Sequence, residues 1–204
     1  EEIKEIDAYC KLNGVELIPC VQTLAHYTTL FRWEEYSDIH DTADILLIDE
    51  DKTYEFIEKI IRTCKQNFSS KRINIGMDEA HMVGLGKYME KHGLCNRHEL
   101  LKKHLAKVVE IAKKYGFEPM MWSDMFFRGW NQNRYHIGKS EIPKEFKEAL
   151  PPSVIPMHWD YYHTEEHRYA DMLENHKQLS DKTWFAGGIW SWRGMIPHNR
   201  FTLD

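Results

Sequence analysis

Nothing in the sequence is long and apolar enough to span a membrane as a helix. The longest aliphatic run, Ile45-Leu46-Leu47-Ile48, falls far short of the roughly 20 residues that crossing requires. Glycine-rich phosphate loops are missing too: no GxGxxG or Walker pattern follows any stretch that reads as a strand, which removes the usual mark of a nucleotide-binding sheet. Positive charge is not in excess. With 27 Lys and Arg against 32 Asp and Glu the net charge is −5, so a phosphate backbone is not attracted and nucleic acid is not an expected partner. Cysteine is scarce and unpatterned. Cys10, Cys20, Cys64 and Cys95 form no CxxC pair and no metal-ligand spacing, so they read as small thiols that slightly favour a reducing, cytoplasmic compartment. Internal repeats and low-complexity segments are absent, and Pro151-Pro152 reads as a turn, which leaves one domain over residues 1–204.

The composition that remains is that of a globular protein, 42% hydrophobic and 29% charged, with many aromatic residues, seven of them tryptophans. Helix-like and strand-like stretches alternate along it. The chain starts at Glu1 inside a helical pattern (Ile3, Ile6, Tyr9, Cys10), which Asn13-Gly14 ends, and residues 15–21 read as a strand. A long loop over residues 26–50 holds Trp33 and Tyr36. A helix over 51–64, a strand over 72–77, a helix over 98–115 closed by Gly116, and a strand over 118–122 follow. A strand over 153–160, a helix over 164–179 and a strand over 183–190 complete the series.

Five strands, each entered from a helix and spaced by about 30 to 60 residues, indicate parallel β/α units. A (β/α)8 barrel fits better than a doubly wound sheet, because polar and aromatic groups gather after nearly every strand: His26, Asp78-Glu79, Trp122 with Asp124, Trp159 to Tyr162, and Trp190 with Trp192. About five units instead of eight suggest that the first two strands and the last are missing. The chain therefore reads as a piece of a longer polypeptide, whose exposed barrel edges would pair with another copy of the chain.

The sharpest feature is Gly76-Met77-Asp78-Glu79-Ala80, two acids directly after an apolar strand. Cleaving a glycosidic bond needs a proton donor for the leaving oxygen and a group that stabilises positive charge at the sugar carbon. Neighbouring side chains on a regular strand point to opposite faces, so both acids serve one site only where the strand bends or ends. The competing reading is an acid pair at a helix N-terminus, where the dipole favours it.

Residues 75–80 resemble the Gly-x-Asp-Glu signature of family 20 glycoside hydrolases, the exo-acting β-N-acetylhexosaminidases. Residues 18–26 are similar to that family's strand ending in Pro-Gly-His, with Ala25 for the glycine and Cys20 where an acid is common, so the chain resembles a divergent bacterial branch. Trp122-Ser123-Asp124 is similar to the family's next strand end, and His158-Trp159-Asp160-Tyr161-Tyr162 and Trp190-Ser191-Trp192 look like further aromatic walls. The resemblance implies substrate-assisted retaining hydrolysis of terminal β-linked N-acetylhexosamine. Asp78 would orient the acetamido group and Glu79 would act as acid and then base, so the pair needs two unlike environments. It further implies that Trp122, Trp159, Trp190 and Trp192 box the N-acetyl group, Tyr161 holds its carbonyl, Asp124 takes a sugar hydroxyl and His26 supports the site. An oligosaccharide is the implied substrate, without cofactor or metal. The family's hydroxyl-reading arginine and its late Trp-x-Glu element are not in the sequence.

Three alternatives stand beside this reading. His163-Thr164-Glu165-Glu166-His167 matches the HxxEH pattern of zinc peptidases, although Thr164 also reads as a helix N-cap with Glu165 and Glu166 in the first turn. The others are a retaining barrel glycosidase with two enzymic carboxylates, and a non-catalytic carbohydrate-binding remnant.

Overall fold

A computed structural model describes residues 1–188, which divide into two compact units, Glu1–Met121 and a second beginning at Trp122. The first unit opens with α1 (Glu2–Leu12), whose apolar Ile6, Tyr9 and Leu12 are largely exposed. Asp7 is its buried residue, and its carboxylate accepts the Ser69 backbone N–H. The segment at 15–21 expected as a strand pairs more sparsely than a ladder: a single parallel bridge joins Cys20 to Asn74. Pro19 accounts for this in part, because it has no N–H and contributes only its carbonyl, which accepts from Asn74 N at 2.9 Å.

α2 (Asp51–Asn67) buries Thr53, Ile57, Ile61 and Cys64, the helical spacing expected of one packed face, and packs on α4 (Arg97–Lys114). Asn96 caps α4, its side chain accepting the His98 N–H at 2.9 Å, and Gly116, at φ +73°, ends it where Phe117 N–H returns to Ala112 O. Between them lie β1 (Arg72–Asn74) and the short α3 (Lys87–His92). β2 (Glu118–Trp122) runs parallel to β1 with Arg72 opposite Glu118 and Asn74 opposite Met120. Ile57, Ile61, Ile73, Ile75, Leu105, Val108 and Met120 are at most 1% exposed and form the core of this unit.

The expected loop at 26–50 is tied down rather than open. It contains two short 3-10 turns, Leu30–Arg32 and Glu34–Ile39. Buried Asp41 accepts the N–H groups of Gly84 and Tyr88, which fastens this loop to the one that follows the acid pair. Fully buried His104 on α4 bonds Thr23 O at 2.8 Å and the Tyr54 hydroxyl at 3.1 Å. Burial lowers its pKa to about 4, so it holds the chain before His26 as a neutral ring.

In the second unit, α5 (Met125–Arg128) and α6 (Lys144–Ala149) precede β3 (Ile155–Trp159), and α7 (Glu166–Lys177) leads to β4 (Trp184–Ala186), parallel to β3 with Trp159 opposite Ala186. Its interior is a closed polar network. Ser123 Oγ lies 2.9 Å from the Tyr135 hydroxyl and 2.7 Å from His176 Nε2, and the same hydroxyl lies 2.8 Å from His158 Nδ1. Burial is the main reason that the pKa values of His158 and His176 fall to about 3 and about 4, so both rings are neutral structural partners. Among the described residues no helix is long and apolar enough to cross a membrane.

Candidate active site

Asp78 and Glu79 follow β1, but the strand stops at Asn74, three residues earlier than the sequence pattern suggests. From there the backbone leaves the pleat. Gly76, Met77 and Glu79 have φ of +72°, +70° and +51°, three left-handed residues within four positions. For the non-glycine residues this conformation costs roughly 1–2 kcal/mol each, and it persists because Met77 and the residues around it are buried. The strand therefore ends just where both acids need to reach one place. The first helix after the acids begins at Lys87, so the pair is not a helix cap.

The two carboxylates meet at His26, itself at φ +67°. His26 Nε2 lies 3.0 Å from Asp78 Oδ2 and 4.0 Å from Glu79 Oε2. Gln22 Nε2 donates to the other Asp78 oxygen at 2.9 Å, and the Gln22 carbonyl accepts the Tyr27 hydroxyl, so this side chain is positioned in its turn. Both Asp78 oxygens are thereby engaged, and its side chain is 18% exposed against 42% for Glu79. The two acids thus sit in unlike environments, Asp78 the more buried and Glu79 the more exposed. Gly76 makes room for this: a Cβ there would stand 2.3 Å from Gln22 Oε1 and 2.7 Å from Val21 O.

Gln22 is the residue that the sequence reading missed. The chain bends over residues 23–25 and His26 is at φ +67°, so no strand alternation relates Gln22 to His26, and the fold alone brings both to Asp78.

The pKa of His26 is raised from the ordinary 6.5, chiefly by its hydrogen bond to Asp78, against the opposing effect of burial. The stability that this pair contributes is complete below the unfolded imidazole value and is lost as pH rises through the folded one. An NMR titration of the His26 ring is expected to give a midpoint above 6.5 that falls in Asp78→Asn; a midpoint unmoved by the substitution would refute the pairing.

In the second unit Trp122, at the end of β2, is half-buried. Trp159 and Tyr161 come together as their alternation suggests, stacked at 6.0 Å with 19° between planes. Tyr162 lies edge-on to both. Asp124 is fully buried and accepts Arg128 Nε at 2.9 Å; it precedes α5 without a side-chain cap bond. Trp190 and Trp192 lie outside the described residues.

The HxxEH pattern does not form the helical pair that it suggests. α7 starts at Glu166, two residues after Thr164, which is not its cap. His163 sits in the turn before the helix with Nδ1 2.8 Å from Asp160 Oδ2, and His167 is on the helix and exposed. The histidines four apart thus do not share one helix face.

The family model for the catalytic domain of glycosyl hydrolase family 20 matches residues 1–177. Bovine hexosaminidase D is 25% identical over 208 residues, covering 94% of this chain and 53% of that protein. The β-hexosaminidase of Akkermansia muciniphila is 24% identical over 172 residues, 74% of this chain and 33% of the relative. This chain therefore spans about half or less of the length of these relatives. Among solved structures, a family 20 exo-β-N-acetylglucosaminidase from Vibrio harveyi, in complex with N-acetylglucosamine, superposes with a TM-score of 0.62 at 16% identity, over 91% of this chain and 27% of that one. The parallel β/α pairs are thus part of a (β/α)8 barrel, and the chain belongs to glycosyl hydrolase family 20.

Proposed function

We propose that this chain carries the catalytic pair of an exo-β-N-acetylhexosaminidase, which hydrolyses terminal non-reducing β-linked N-acetylhexosamine with retention and with help from the substrate. The observation that carries the proposal is the asymmetry at residues 78 and 79: Asp78 is bonded on both oxygens by Gln22 and His26 and 18% exposed, while Glu79 beside it is 42% exposed. Each carboxylate oxygen that accepts one hydrogen bond keeps room for a second, so Asp78 can still accept the N–H of a substrate acetamido group. That contact turns the acetamido oxygen towards the anomeric carbon. The oxygen displaces the leaving group, the C1–O bond breaks, and Glu79 gives the departing oxygen its proton. An oxazolinium ion balanced by Asp78 remains. Glu79, now a base, takes a proton from water, which adds to C1 and restores the acetamido group with the original configuration.

A scheme with two enzymic carboxylates needs the acids on opposite sides of the scissile bond. Here both rise from one strand end and share His26, which favours the substrate-assisted route. In the second unit, the stacked Trp159 and Tyr161 would bound the acetamido methyl and hold its carbonyl. Trp122 would add a wall, and Trp190 and Trp192, outside the described residues, would be further candidates; Asp124, fully buried and paired with Arg128, would support the end of β2 rather than meet a sugar hydroxyl. No metal or cofactor takes part in these steps.

The test uses the full-length protein and a thiazoline that mimics the oxazolinium ion. It is expected to compete with substrate and to bind at least about a hundredfold more tightly, as a mimic of a high-energy species should. Asp78→Asn is expected to lower kcat by about a hundredfold through misoriented acetamido attack, and to weaken the thiazoline in parallel. Hydrolysis that continues uninhibited by the thiazoline would show that the nucleophile is not the substrate's own acetamido group.

A further inference from the structure

We propose that His136, Asp160 and His163 form a binding site for a divalent transition metal, zinc foremost, which pins the loop between α5 and α6 to the aromatic end of β3. This inference does not depend on the proposed hydrolytic activity. Asp160 is 4% exposed and its two oxygens have separate tasks. Oδ1 accepts the backbone N–H groups of Tyr162 at 2.9 Å and His163 at 3.3 Å, which fixes the carboxylate. Oδ2 then faces two imidazoles, 2.8 Å from His163 Nδ1 and 3.6 Å from His136 Nε2.

One donor atom from each of the three residues lies within 4.8 Å of the others. A tetrahedral zinc with bonds of about 2.0–2.2 Å places its donors roughly 3.2–3.6 Å apart; the 3.6 Å from Asp160 Oδ2 to His136 Nε2 already fits, and the 2.8 Å contact to His163 Nδ1 has to open a little to admit the ion. Two nitrogens and one carboxylate oxygen are a donor set that suits zinc better than calcium or magnesium, which take oxygen ligands.

A second observation concerns the remaining coordination position. A cavity of about 190 Å³ borders His136 and Asp160 and is lined also by His167, Asp171 and Met172. It has room for water, the usual fourth ligand of a three-residue zinc site, and it gives the ion a way in. The supporting contacts resemble an outer shell: the Tyr169 hydroxyl on α7 donates to the His163 carbonyl, while Asp160 is oriented by backbone N–H groups.

In the metal-free chain His163 bonds Asp160 directly, and His136 Nε2 lies 3.1 Å from Trp159 O. Zinc would replace that proton-bridged arrangement and lock the segment that carries Trp159 and Tyr161. The partners of His163 are therefore Asp160 and His136 rather than Glu166 and His167, so this site is not the one that the HxxEH pattern suggests.

Untagged full-length protein, stripped with a chelator, is titrated with zinc chloride by calorimetry. One equivalent is expected to bind with Kd below about 10 μM and to raise the melting temperature by several degrees, reversibly with EDTA. His136→Ala and His163→Ala should each weaken binding at least tenfold, while His167→Ala and His26→Ala leave it within twofold. X-ray absorption on zinc-loaded wild type should show nitrogen and oxygen scatterers with two imidazoles, a readout that needs no variant to fold. No saturable uptake, a shell without imidazole, or binding lost with His26→Ala instead of His136→Ala would each overturn the proposal.

Discussion

Glu79→Gln in the full-length protein is expected to lower turnover of unactivated N-acetylhexosaminides by about 10²–10⁴-fold, the range that a positioned proton donor contributes. The substitution keeps the shape of the side chain and removes its ability to give or take a proton, so the Asp78–His26 pair at 3.0 Å should survive and substrate should still bind. The loss then falls on kcat. It should also depend on the leaving group. An alkoxide departs poorly without protonation, whereas a nitrophenolate needs little help, so aryl glycosides with acidic phenols should retain much more of their first-step rate than alkyl ones.

The second step exposes the other role of Glu79. Without a base, water adds slowly to the oxazolinium ion, but azide needs no deprotonation and should partly restore turnover of the activated substrates as the β-glycosyl azide. Rates on aryl glycosides of graded leaving-group acidity, with and without azide, measure both effects. Near-normal kcat on an alkyl glycoside would remove Glu79 from the mechanism.

The acids were legible in the sequence because they follow a run of branched apolar residues, and so was the alternation of helices and strands. The long helices α2, α4 and α7 begin or end within about three residues of where apolar periodicity put them, as expected where one face is packed over several turns. α3, α5 and α6, of six, four and six residues, carry too few turns to show a period. The 3-10 turns Leu30–Arg32 and Glu34–Ile39, of three and six residues, are likewise too short. What could not be read was tertiary. Tyr135 and His136 lie in a loop with no pattern, and only the fold brings them to His158 and Asp160. The strand end was placed at Met77 because alternation continues there; the chain instead turns left-handed at Gly76, a choice set by buried neighbours rather than local preference.

That turn makes Gly76→Ala a strongly damaging substitution, and one that reaches the acid pair. At φ +72° an alanine incurs roughly 1–2 kcal/mol of backbone strain. Its Cβ would also stand 2.7 Å from Val21 O, a backbone atom that cannot swing aside, and 2.3 Å from Gln22 Oε1. Overpacking of this kind costs roughly 1–3 kcal/mol more, so a total near 3 kcal/mol is expected, read as a lower urea midpoint for the full-length protein. The two contacts have separable consequences. Gln22 is the softer neighbour and will move first, and in moving it releases Asp78 Oδ1. Activity should therefore fall in conditions where the variant is still fully folded. In a Gln22→Ala background the same glycine substitution should cost less stability and change kcat little further, because the side chain through which it acts on Asp78 is already gone. Equal losses of stability and of kcat in both backgrounds would mean that Gly76 supports the strand end alone and has no part in holding Asp78.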